Sequence, residues 1–178
     1  MEWTAQARFY VMQHQELLLT TAEVSATFAG FSGVIGVFSE HTRNLEAQLQ
    51  RHRLLQMIVT SLSALTMSVS PFLIAAFRFP EPLVWRISSA IYVFPATLLT
   101  ALAIYSSRPF IRAGLASDLT SHVIAVITTI TVGVSILNGL GVFPSQASAI
   151  YLVTLFFTLG LSGFFFTQLV AAFQPPQD

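Results

Sequence analysis

Apolar residues in this chain gather into five runs, each near the length that crosses a lipid bilayer, with short polar stretches between them. The runs cover residues 17–38, 54–77, 84–105, 119–142 and 147–173. A hydrocarbon core of about 30 Å needs roughly 20 helical residues at about 1.5 Å each, and every run supplies that length. The expected fold is therefore an all-α integral membrane protein. It is a bundle of about five transmembrane helices, four if the first is interfacial, assembled as a symmetric homo-oligomer. Membrane lipid is the first partner implied.

Composition agrees. Of the 178 residues, 54% are hydrophobic and 9% charged, against about 25% charged in soluble domains. A soluble fold would need polar surface that these helices do not have. All eight basic residues are arginine, balanced by eight acids. No basic stripe points to a nucleic-acid partner. Without cysteine there are no disulfides, thiolate nucleophiles or thiolate-held metals. Residues 1–178 read as a single transmembrane domain.

Residues 1–16 carry Glu2, Arg8, His14 and Glu16 ahead of the first run. They lack the compact basic start of a signal peptide, so the first span is expected to be retained. Trp3, Phe9, Tyr10 and Met12 among polar neighbours suggest an amphipathic interfacial segment. Two charged loops are expected, at 39–53 and 106–118. Leu45 and Leu49 stand four apart, so the first loop is expected to run on as helix into the second span. Pro80 and Pro82 mark a non-helical hinge, and Pro95 a kink in the third span.

Arginines set the orientation. Arg43, Arg51, Arg53, Arg108 and Arg112 fall on one side, and Arg8, Arg78 and Arg86 on the other. The positive-inside tendency places the richer side in the cytoplasm, with the amino terminus outside and the carboxyl terminus inside. A cytoplasmic (inner) membrane is the expected location.

The first span is the most polar. Ala22, Ala26 and Gly30 repeat every four residues, Gly33 and Gly36 extend the small surface, and such spacing lets helices pack closely. A tightly packed central helix is one expectation. The other starts from Glu16, Thr20, Glu23, Thr27 and Gly30, whose steps of four, three, four and three place them on one face. Ionisable groups within a span face protein or water. In a homo-oligomer this face would ring a pore with carboxylates that attract cations. Glu23 has a structural alternative, an ion pair with Arg78 or Arg86 at similar depth.

Two further polar rows are Gln56, Thr60, Ser63, Met67 and Ser70 on the second span, and Thr128, Thr131, Ser135 and Asn138 on the fourth. Hydroxyls in spans mostly bond carbonyls or a neighbouring helix. Asn138 needs partners that one helix cannot provide. His14, His41, His52 and His122 are neither paired along a helix nor matched in depth, which argues against a metal or haem site. No hydrolase elbow, phosphate loop or intramembrane protease pair occurs. No enzyme activity, cofactor or metal is expected.

The function these features imply is a small homo-oligomeric channel for small ions, cation-preferring, with the first helix near its axis. A non-conducting accessory subunit of a larger membrane complex is the alternative. A small secondary transporter comes third, since no inverted repeat is evident.

Overall fold

The computed structural model describes residues 14–38, 45–114 and 118–171. Helices α1 (Gln15–Phe38), α2 (Leu45–Ala76), α3 (Glu81–Arg112), α4 (Asp118–Gly139) and α5 (Ala147–Ala171) follow one another, with a 3-10 turn at Pro144–Gln146. No strand occurs among the described residues. Four stretches are long and apolar enough to cross a membrane: Gln15–Gly36, Ala47–Ala76, His122–Gly139 and Pro144–Ala171. The chain is thus an all-helical integral membrane protein. The polar first helix is one of the four.

The second charged stretch is more helical than expected, and the first runs on as helix into α2. Residues 45–53 belong to α2, and residues 106–112 belong to α3 instead of forming a loop. Charge marks contact with water, and a helix keeps its backbone bonds there as well as in lipid. At 32 residues each, α2 and α3 are about 48 Å long and exceed a 30 Å core. The amphipathic segment before residue 14, the loop histidine His41 and Arg43 lie outside the described residues.

The hinge between α2 and α3 is shorter than the prolines suggested. Pro80 caps α3 and Pro82 already sits in its first turn, where a missing N–H breaks no helical bond. Arg78 takes φ 62° at the turn.

Helix α2 packs along α1, α3 and α5, while α4 packs on α3 and α5. Ser61, Ala64, Ser68 and Pro71 are buried on α2, and their small size lets its neighbours come close. Pro71 cannot donate to the Met67 carbonyl four residues earlier. The Tyr151 hydroxyl of α5 takes that carbonyl at 2.7 Å and also meets Ser70 at 2.9 Å. A polar group freed by proline thus becomes a tie between helices. Helix α1 is not the central helix expected from its small residues. It lies at the edge, along α2, with a lesser contact to α5.

Candidate functional site

Helix α1 buries Leu18, Thr21, Ser25 and Ser32. These recur on one face, and the three hydroxyls bond their own helix at the Leu17, Thr21 and Ala29 carbonyls. Each hydroxylated side chain therefore behaves as a small, satisfied residue that a partner helix can cover. Phe28 and Phe31 close the contact with α5, with ring centroids 5.6 and 5.4 Å from Phe166.

Glu16, Thr20, Glu23, Thr27 and Gly30 are all exposed. At about 100° per residue, Glu23 lies about 160° around the helix from Ser25. The acidic face therefore points away from the protomer's own bundle. The Thr27 hydroxyl bonds the Glu23 backbone carbonyl at 2.8 Å, and the Glu23 side chain is exposed. Glu23 lies about 12 Å along the axis from the start of α1, well within a span.

The small residues expected to pack behave differently from one another. Ala22 is half-buried, while Ala26, Gly30 and Gly33 are exposed. A Cβ at Gly30 or Gly33 would meet nothing within 4 Å, whereas one at Gly36 would lie 3.3 Å from Leu54 Cδ2. Only Gly36 lets α2 approach closely. Ala26, Gly30 and Gly33 are open surface within the protomer.

Neither expected ion pair of Glu23 forms among the described residues. Arg78 is exposed on the α2–α3 turn. Arg86 donates from Nε to the Gly139 carbonyl at 3.3 Å and from Nη2 to the Leu140 carbonyl at 3.1 Å. These carbonyls end α4, where a cation is favoured by the helix dipole. The amides of Gly141 and Val142 return to Asn138 and Leu137 at 2.9 and 3.1 Å, a Schellman closure with Gly141 at φ 78°. A Cβ at Gly141 would lie 2.5 Å from Arg86 Cζ, so glycine is needed there for both backbone and space.

Asn138 finds partners for its amide nitrogen, while its Oδ1 is buried without a hydrogen-bond partner among the described residues. Its Nδ2 donates to Ser89 Oγ at 2.9 Å and to the Ala147 carbonyl at 3.0 Å, joining α3, α4 and α5. Along the rest of its row, Thr128, Thr131 and Ser135 bond carbonyls of α4 itself. On α2, Thr60 bonds the Gln56 carbonyl.

Sequence reasoning missed the tyrosines. Tyr92 on α3 meets Thr158 on α5 at 2.9 Å, Tyr151 holds α2, and Ser61 pairs with Ser162. Their signal was present: a tyrosine within a span needs a partner for its hydroxyl. A groove of about 300 Å³ opens between α2 and α3, lined by Ser63, Thr66, Met67, Ser88, Tyr92 and Pro95 among others. Its surface is mostly apolar. Trp85 completes the core against Tyr151, with His14 at its edge.

No protein-family model, curated protein or solved structure matches this chain.

Proposed function

We propose that this protein forms a small homo-oligomeric membrane channel of five-span protomers, with the outer face of α1 near the symmetry axis. One observation carries the proposal: Glu16, Thr20, Glu23, Thr27 and Gly30 are exposed together on the side of α1 opposite its packed face. A carboxylate turned toward hydrocarbon is costly, by about 2.5 kcal/mol or more at mid-span. Copies of α1 gathered around an axis would give the carboxylates a watery surround and make Glu16 and Glu23 stacked acidic rings that favour cations. The open row of Ala26, Gly30 and Gly33 gives adjacent copies of α1 room to approach.

Single-channel recording of purified protein in planar bilayers tests the proposal. Conductance with cation preference, reduced in Glu23→Gln without loss of assembly, is the expected result. Absent conductance, with a larger partner co-purifying from native membranes, would favour an accessory subunit docked through this same face.

A further inference from the structure

The groove between α2 and α3 lies inside the hydrocarbon layer. Its α2 wall runs from Val59 to Ser70 and its α3 wall from Ser88 to Pro95. Ser70 is about 9 Å and Val59 about 25 Å along α2 from Ala76, within a core of about 30 Å. Leu62, Thr66 and Ile91 line the groove and are exposed, so it opens on the flank of the protomer and is reached from the bilayer. An apolar cavity of about 150 Å³ takes up benzene. A volume of about 300 Å³ matches a molecule roughly twice that size.

All but one of the hydroxyls lining the groove are engaged. Thr66 and Ser88 bond the Leu62 and Val84 carbonyls, Ser70 meets Tyr151, and Tyr92 meets Thr158. Ser63 makes no hydrogen bond among the described residues. On the facing wall, Pro95 has no N–H to give to the Ile91 carbonyl one turn earlier, and both residues line the groove. The carbonyl that Pro71 leaves on α2 is taken by the Tyr151 hydroxyl. Among the described residues no side-chain hydroxyl does this for Ile91.

These two groups lie at one depth. Ser70 and Ser88 both approach the Tyr151 hydroxyl, which fixes the register of the antiparallel walls. Ser63 stands seven residues from Ser70 and Pro95 seven from Ser88, about 10 Å along each helix in the same direction. A helical carbonyl points toward the residue four places on, so that of Ile91 falls within about 5 Å of the depth of Ser63.

We infer that the groove binds an apolar molecule with a single hydroxyl, an alcohol of about ten carbons, whose oxygen accepts from Ser63 and donates to the Ile91 carbonyl. A lipid acyl chain would cover the apolar walls but leave both groups without partners, which is costly where no water is present. Lipid headgroups stay outside the core and do not reach this depth. The site is independent of conduction: it asks only that the hairpin cross a bilayer.

The full-length protein in nanodiscs of dioleoyl phosphatidylcholine is photolabelled with a diazirine-bearing decanol, and the adducts are mapped by peptide mass spectrometry. Adducts are expected within 59–70 and 88–95. At equal concentration in the bilayer, 1-decanol should compete for them about 20-fold better than n-decane, the worth of two net hydrogen bonds. Ser63→Ala removes one partner, and Pro95→Ala returns an N–H to the Ile91 carbonyl. Each should lower that ratio about fivefold, with circular dichroism checking the fold. Thr129→Ala, on the exposed surface of α4, should leave it unchanged. Adducts spread evenly over all helices would overturn the assignment. So would an unchanged ratio in both groove variants, or no adducts in 59–70 and 88–95, the result if a second copy covers the groove.

Discussion

Three residues at the ends of helices show how local backbone needs decide where polar groups go. Gly141 closes α4 at φ 78° with the Arg86 guanidinium against it, so Gly141→Ala adds both left-handed strain and a clash. Its expected cost is about 1 to 3 kcal/mol, read as a lower midpoint in detergent thermal unfolding. Arg78 adopts the same half of backbone space at φ 62° without being glycine, at a cost of about 1 to 2 kcal/mol. Arg78→Gly should therefore raise the midpoint. A fall would mean that the arginine has a partner worth more than the strain it carries. Asn138 ties α4 to Ser89 of α3 and to the Ala147 carbonyl. Asn138→Ala should cost about 1 to 2 kcal/mol in the same assay, the range of interhelical hydrogen bonds in lipid.

Helix α1 has two faces of small residues, and only one is used within the protomer. Ser25→Leu places a large side chain where none is accommodated, at a cost of about 1 to 3 kcal/mol, and should loosen α1 from α2. Gly33→Leu, where a Cβ meets nothing within 4 Å, should leave protomer stability unchanged while disturbing any contact between copies. Size-exclusion chromatography and thermal unfolding of the two variants separate these outcomes. The same helix shows what was legible in the sequence. Its length and apolarity announced a span, and the spacing of Glu16 to Gly30 announced a common face. Which small face would pack did not follow, because Thr21, Ser25 and Ser32 satisfy their own hydroxyls and become as small and as coverable as Ala22 and Gly30. The spacing of Leu45 and Leu49 pointed to helix running into α2, whereas the charges of 106–112 reported contact with water and were silent on backbone, so that helical extension read as a loop. Arg86 was legible as a buried-depth cation. Its partners are backbone carbonyls at the end of α4, which no residue pattern displays before the helices are arranged.

Across the whole molecule, the polar groups divide into those the bundle uses and those it turns outward. Tyr92, Tyr151, Asn138, Ser61 and Ser162 are spent holding α2 to α5 together, so the interior is glued by its hydroxyls. The carboxylates of α1 remain outside that network, and a surface of this kind in a bilayer asks for water or another protein. The proposed assembly follows from that division. It is tested most directly by placing single cysteines in the naturally cysteine-free chain, as Thr20→Cys, Thr27→Cys and Gly30→Cys, with Phe94→Cys on the exposed apolar surface of α3 as a reference. The rate of reaction with a charged, membrane-impermeant thiol reagent is then measured in proteoliposomes. The three α1 positions should react much faster than the reference, as residues at a watery axis do. Rates as slow as that of Phe94→Cys at all three would put this face in lipid or under another protein, contradicting its place at a pore.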